Sequence, residues 1–383
     1  MSREVDVVHT GEEPPDGWDA AVFLAGPTPR DPGVASWRPA AVAALRAGWS
    51  GGRLVVFVPE YAPGATAGPP ADHAAQVGWE ERCLHLSDEV LFYVPRELDT
   101  MPAFTTNVEW GMWHDSGRAV FGAPPEAPKN EYLLHYARRS GVPTAADVPG
   151  AAAAVLERLG AGARRTGGER EVPLLVWRTP HFQDWYAAQR GAGNTLLGAR
   201  LEWRLRSFWA LRVRVHVAAE DRVKTGEAVI GRPDVSAVVL YRPAPDPGDT
   251  LVVLVREFRS PAATADGQVH ELPGGSGDGG PAAVALAEVR EETGLVLDAA
   301  RLRPVAVRQV AATLSAYRAH LFAAEITDAE VAALRAAGPG GVAAHGEVTH
   351  VEVRRLAEIR DGALVDWATL GMIAQVLDGP RRG

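Results

Sequence analysis

Between residues 20 and 160, short uninterrupted apolar runs alternate with segments of helical period. The runs lie at 21–24, 54–58, 90–94 and 119–121, and the first three are closed by Gly26-Pro27, Pro59 and Pro95. A strand that is apolar at every position has no face to give to water, so it must be covered on both sides. That requirement predicts a parallel sheet with helices on both faces, an α/β domain. Ser36 reads as an N-cap before Ala40, Ala44 and Leu45, and residues 73–86 and 104–114 supply further helices. In such sheets ligands bind beyond the carboxyl ends of the strands.

After residue 208 the pattern changes. Leu211, Val213, Val215 and Val217 alternate with Arg212, Arg214 and His216, which predicts a half-buried strand. Further strands are expected at 235–241 and 251–255 around a Pro/Asp/Gly-rich loop, then at 305–310 and 317–324, with helices over 281–293 and 367–377. Mostly antiparallel strands with few helices predict a second domain of the α+β class. The aperiodic stretch 161–171, rich in Gly, Arg and Glu, is the expected linker between a domain at 1–160 and one at 172–383. Trp177, Trp185, Trp203 and Trp209 then predict an aromatic core or subunit surface, with a base-stacking site as the alternative.

Composition excludes several classes. A net charge of −9 argues against coating a nucleic-acid polymer. No apolar run approaches the ~18 residues of a membrane span. Residues 1–16 are acidic without the apolar core of a secretory signal, and the single cysteine, Cys83, permits no internal disulfide. A cytoplasmic protein is expected.

Two segments carry chemistry. In the second half, His270-Glu271-Leu272-Pro273-Gly274-Gly275 precedes a glycine-rich loop. The helix after it places Glu288, Glu291 and Glu292 at i, i+3 and i+4. Three like charges on one face repel unless a cation sits among them, and hard carboxylate oxygens suit Mg²⁺ or Mn²⁺. A solvated acidic face is the plainer alternative. The segment resembles the Nudix box, G-x5-E-x7-R-E-U-x-E-E-x-G-U, where U is aliphatic. Its second half is met at Glu288, Val289, Glu291, Glu292, Gly294 and Leu295. Ala287 stands where the family has Arg, Gly279 where it has the earlier Glu, and the loop is two residues shorter. With Arg256-Glu257-Phe258-Arg259 and Glu271-Leu272-Pro273, the likeness extends over about 208–378 and points to the ADP-ribose pyrophosphatase branch. It implies a Nudix fold with Glu288, Glu292 and the Gly274 carbonyl as metal ligands and Glu291 assisting. Glu347 would be a base or further ligand, and Arg259 and Glu271 would lie near substrate. The implied chemistry is metal-assisted attack of water on a pyrophosphate.

In the first half, residues 21–29 read A-V-F-L-A-G-P-T-P, small residues that permit close backbone approach after a strand. Glu80 lies on the 73–86 helix. Glu109 lies near the start of the next, after Pro102-Ala103-Phe104-Thr105-Thr106-Asn107. A carboxylate there is either a solvated first-turn residue or a buried nucleophile, and the helix dipole is expected to lower its pKa. Over about 20–140 these segments, in this order, resemble the nucleoside 2-deoxyribosyltransferase family and its nucleotide N-glycosidase relatives. The resemblance implies a flavodoxin-like sheet, Glu109 as nucleophile, Glu80 at the base, and Phe23, Gly26, Thr106 and Asn107 around the substrate. Phe23 stands where Tyr is common, and Ala103 where many members carry a base-contacting Asp. It also implies a homo-oligomer acting on a small nucleoside or nucleotide. Together the halves imply a bifunctional nucleotide-processing enzyme. The alternative is a second half reduced to a nucleotide sensor that regulates the first.

Overall fold

The computed structural model describes residues 4–31, 33–64, 73–338, 340, 348–362 and 364–378. The chain divides into two compact units, Met1–Ile230 and Gly231–Gly383.

The first unit opens with strands β1 (Glu4–His9), β2 (Gly17–Trp18) and β3 (Ala20–Ala25), helix α1 (Arg38–Gly48) and strand β4 (Arg53–Val58). It continues through α2 (His73–Leu86), β5 (Glu89–Tyr93), α3 (Phe104–Trp113), β6 (Ala119–Gly122), α4 (Glu131–Arg139), β7 (Thr144–Ala145) and α5 (Val148–Leu159). Six strands form one sheet in the order β1-β4-β3-β5-β6-β7, every neighbouring pair parallel. Both faces are covered, as the continuous apolar runs require. Ala21, Phe23 and Ala25 pack under α2, α3 and α4, while Ala20, Val22 and Leu24 pack under α1 and α5. The order β4-β3-β5-β6-β7 is consistent with a flavodoxin-like winding, with β1 added outside β4. Its switch point lies beyond the carboxyl ends of β3 and β5.

Residues 161–171 are not a linker. Strand β8 (Arg165–Thr166) pairs with β2, and a 3₁₀ turn over Gly167–Glu171 follows. Gly168 packs so closely on the next strand that a Cβ there would meet the Leu197 carbonyl carbon at 2.3 Å. Arg165 is fully buried against Asp88, with two guanidinium nitrogens on the two carboxylate oxygens at 2.7 and 2.6 Å. Lack of periodicity hid a segment held by one ion pair rather than by an apolar face. The first unit then extends through α6 (Leu174–Trp177), α7 (Pro180–Gly191) and an antiparallel sheet of β9 (Thr195–Leu205), β10 (Phe208–Val217) and β11 (Arg222–Gly231). Trp209, Phe182, Tyr186 and Leu211 form its core, with Trp177 and Trp185 packed against them. The aromatic stretch is therefore mainly core; Trp203 alone of its four tryptophans is exposed.

The second unit contains β12 (Val235–Arg242), β13 (Leu251–Phe258), β14 (Gln268–Glu271), β15 (Gly274–Gly275), α8 (Pro281–Thr293), β16 (Arg303–Gln309) and β17 (Arg318–Glu325). After these come α9 (Asp328–Ala336), β18 (His350–Arg355), α10 (Leu356–Asp361) and α11 (Trp367–Leu377). The seven strands form a mixed sheet in which β12 and β17 are parallel and the other pairs antiparallel. Helices α8 and α9 cover one face, and α10 and α11 the other. Helix α8 has the expected ends, with Pro281 at its first position and Gly294 left-handed (φ 73°) after its last turn. Among the described residues no helix is long and apolar enough to cross a membrane.

Removing Arg165 would leave Asp88 buried without a countercharge, a defect of about 3–5 kcal/mol. Urea titration of Arg165→Ala is expected to show a loss of that size. A chain cut at residue 160 should fail to unfold cooperatively, whereas residues 1–230 should do so. Equal stability of the 1–160 fragment would return 161–171 to the role of a linker.

Candidate active site

Beyond the carboxyl ends of β3, β4 and β5 lies a cleft of about 280 Å³, lined by Gly26, Thr28, Arg38, Glu80, Ala103 and Glu109 among others. Close packing shapes its floor. A Cβ on Gly26 would meet the Tyr93 carbonyl oxygen at 2.3 Å and the Trp37 ring at 2.7 Å. The small residue lines the cleft and also admits the neighbouring strand end, which lets the loop turn.

Arg38, which no sequence motif marks, organises the cleft. It is only 2% exposed and donates to the carbonyls of Leu24 (3.1 Å) and Gly26 (2.5 Å), to Thr28 Oγ1 (3.1 Å) and to Glu60 Oε1 (2.5 Å). Burial pulls its pKa down, and the Glu60 carboxylate opposes that. The same positive charge acts on the two carboxylates of the cleft. Burial pushes the Glu109 pKa up to about 7, the Glu80 carboxylate adds to the rise, and Arg38 opposes it. Burial also raises Glu80, against a hydrogen bond from Gln76 Nε2 (3.0 Å) and the charges of Arg38 and His73. The expectation that the helix dipole would lower Glu109 is thus overturned. Glu109 is the sixth residue of α3, and the dipole acts mainly within the first turn. Desolvation beside a like charge wins.

The period of α3 sorts the other expected residues. Thr105 and Glu109, four apart, both line the cleft. Thr106, Trp110 and Trp113 form the buried face, so Thr106, expected at the sugar, faces the core. Asn107 Oδ1 accepts from Arg96 at 2.7 Å. Arg96 also donates to the Pro102 carbonyl (2.7 Å) and Asn130 Oδ1 (3.2 Å), so Asn107 braces the loop instead of lining the cleft. Phe23 is fully buried among Phe57 and Trp79 in mid-strand, about 7 Å short of the strand end along the chain. Ala103, where the resemblance would lead one to expect an acid, lines the cleft as the N-cap of α3 in the left-handed region (φ 60°, ψ 39°).

In the second unit, Arg259, Glu271, Gly274 and Gly275 line a cleft of about 660 Å³. Arg259 bridges Glu271 (3.2 Å) and the buried Glu257, to which no sequence pattern assigns a role. Gly274 N–H donates to Glu292 Oε2 at 2.9 Å, and a Cβ on Gly275 would meet Glu288 Oε1 at 2.3 Å. Glu288 and Glu292 therefore face the same glycine pair. Glu291, about 100° round the helix from Glu292, is exposed and stands apart from them. Arg290 is exposed as well. Burial pushes Glu292 up to about 8, with Glu288 and Glu257 adding to the rise. Among the described residues no group of three or more His, Cys, Asp or Glu is arranged to hold a metal. Glu347 lies outside the described residues.

Residues 19–127 match the family model described as nucleoside 2-deoxyribosyltransferase like. The match contains β3 through β6 and both cleft carboxylates, and it ends well before the second unit begins. No curated protein matches the chain.

These carboxyls predict a pH-dependent stability. Burial holds Glu109 at about 7 and Glu292 at about 8 in the folded chain, against an ordinary value of 4.5. Between those values the folded state holds protons that the unfolded state has released. The stabilisation is full below about 4.5 and is lost as pH rises through 7 to 8. Melting temperature followed across that range is expected to fall, and Glu109→Gln or Glu292→Gln should each flatten the fall.

Proposed function

We propose that the first unit cleaves or exchanges the N-glycosidic bond of a nucleoside or nucleotide, with Glu109 as nucleophile. The observation that carries this reading is the placement of two half-buried carboxyls, Glu80 and Glu109, in one cleft at the switch point of a parallel sheet. The matched family model covers the same residues. The Glu109 carboxylate attacks the anomeric carbon, a C–O bond forms, and the C–N bond breaks through an oxocarbenium-like state. The electron pair leaves with the base, which takes a proton from Glu80 or from water. Water or a second base then opens the glycosyl ester and restores Glu109. Two neighbouring carboxyls held above their ordinary range can divide these roles, one giving a proton while the other is ionised.

The reaction should therefore speed up as pH rises through about 7, where Glu109 ionises. Removing the neighbouring charge with Glu80→Gln should move that limb to lower pH, since Glu80 contributes to the rise. Glu109→Ala should abolish base release, and Glu109→Gln should nearly do so. Trapping with a 2-fluoro-2-deoxynucleoside and intact-mass measurement checks the role. Base release by the wild-type chain without an adduct would demote Glu109 to positioning.

For the second unit we propose Nudix-type hydrolysis of a nucleoside diphosphate-linked, ADP-ribose-like pyrophosphate. Glu288 and Glu292 would hold Mg²⁺ or Mn²⁺. Their hard oxygens and the crowding of negative charge that raises Glu292 fit a divalent cation. The bound ion would supply polarisation of phosphoryl oxygens. Arg259 and Glu271 line the adjoining cleft, where the Arg259 guanidinium would orient the diphosphate. Ala287, Gly279 and the outward Glu291 favour a second reading, a nucleotide sensor without hydrolysis. Mg²⁺ should raise the melting temperature at pH 8 in the wild type and not in Glu292→Gln. Phosphate release from a panel of diphosphate nucleotides then separates the readings. Metal stabilisation with no turnover supports the sensor, and no stabilisation removes the metal site.

A further inference from the structure

Three carboxylates compete for one guanidinium at the carboxyl end of the parallel sheet. Arg38 feels the charges of Glu60, Glu109 and Glu80, and it lines the cleft together with the last two. Of the three, Glu60 makes the contact, its Oε1 taking the Nη1 donor at 2.5 Å. Nε and Nη2 go to the carbonyls of Leu24 and Gly26, and the guanidinium lies 5.0 Å from the centroid of the Trp37 ring. Glu60 is itself held from both ends. Its backbone carbonyl accepts from the Thr10 N–H at 3.1 Å and lies 3.1 Å from His9 Nδ1. Ser36 Oγ donates to the same Oε1 at 2.9 Å and accepts from the Arg38 backbone N–H at 3.2 Å. Ser36, which the sequence marks as a helix cap, thus stands outside α1, whose N-cap is Trp37 with no side-chain cap. It ties Glu60 and Arg38 to one another instead.

Other charges also face Glu109. His73 and Arg30 line its cleft from α2 and from the β3–α1 loop. Glu80 and Glu109 further border a larger cleft toward β9, where α2 contributes Glu81, Arg82 and His85, and Asp115 and Arg118 follow α3. Strand β9 adds Arg200, Glu202 and Arg204, so both signs stand along that opening. The charges that move Glu109 are Glu80, which raises it, and Arg38, which opposes the rise. Contact with a guanidinium would hold the carboxylate ionised and occupy the lone pairs that an attack needs.

We propose that Glu60 is a positioning residue for the reaction at Glu109: by keeping the Arg38 guanidinium against the β3–α1 loop, it withholds from Glu109 the buried cation with which it would otherwise pair, and so leaves the nucleophile free to attack. The inference rests on the reading of Glu109 as nucleophile. When the Glu60 charge is removed, Nε and Nη2 keep their carbonyls, so the guanidinium stays in the cleft wall while Nη1 loses its charged acceptor.

The test compares Glu60→Gln, which keeps an acceptor oxygen without the charge, with Glu60→Asp, which keeps the charge, both in the full-length chain. Base release from a panel of common nucleosides and nucleotides is followed from about pH 5 to 9. In Glu60→Gln the rising limb of kcat should move down by about one to three pH units, the effect of an opposite charge at contact distance. The plateau above it should fall roughly tenfold, because a charge-assisted hydrogen bond must break before attack, while KM changes little. Glu60→Asp should keep the wild-type limb. A second measurement needs no turnover. The Glu109 carboxyl carbon, assigned by its loss in Glu109→Gln, is titrated by ¹³C NMR, and its midpoint should move down with the limb. A midpoint unmoved by Glu60→Gln, or moved equally by Glu60→Asp, overturns the proposal. Should Glu60→Gln fail to fold, Ser36→Ala removes one donor that holds Glu60; a smaller shift in the same direction supports the proposal, and none overturns it. If the midpoint moves and no compound loses its base, the role of Glu60 stands and the glycosyl reading of Glu109 fails. Base release with an unmoved midpoint means the reverse.

Discussion

The first unit depends on the pairing of Asp88 with Arg165. Asp88 lies at the start of β5, at the amino end of the sheet, and accepts from the backbone N–H of Ala21 (2.9 Å) and Leu174 (2.8 Å) as well as from Arg165. Arg165 uses its five N–H donors on Asp88 and on the carbonyls of Ala163, Val172 and Asp19. A buried ion pair stabilises only when its desolvation is offset in this way, and here every donor has found an acceptor. One carboxylate thereby joins the central strand β3, the strand β5 and the chain returning from α5 toward the small antiparallel sheet.

The two ends of the parallel sheet do opposite things with charge. At the amino end, a cation and an anion satisfy one another completely. At the carboxyl end, Arg38 spends its donors on the backbone of the β3–α1 loop and on Glu60, and it reaches the cleft carboxyls only through its field. Glu80 and Glu109 are left desolvated and above their ordinary range. The rigid end allows the other end to remain electrostatically unresolved, which is the condition under which a carboxyl changes protonation near neutral pH.

Much of the scaffold was legible because strand burial writes itself as uninterrupted apolar runs. The helices His73–Leu86, Pro281–Thr293 and Trp367–Leu377 have the bounds that their periods and caps predict. What failed had different physical causes. Arg165 looks like one of many arginines in an aperiodic stretch, and only its partner 77 residues away gives it meaning. Thr106 and Asn107 precede Glu109 by three and two residues, about 60° and 160° round the helix from it, and Thr106 falls on the core face. The same arithmetic sets Glu291 aside. Arg38 and Glu257 were illegible because a buried charge carries no sequence pattern of its own. The mixed character of the second sheet escaped because the β12–β17 pairing is parallel across a long separation, which local alternation does not encode.

Ala103 has a further consequence for how this cleft can evolve. A left-handed alanine carries a cost of roughly 1–2 kcal/mol that asparagine and aspartate bear more readily. The position is already held in that geometry by the Arg96 contact with the Pro102 carbonyl, and it opens onto the ligand side of α3. An asparagine or aspartate there would relieve the backbone and add a polar group to the cleft wall, with the loop's conformation carried through unchanged.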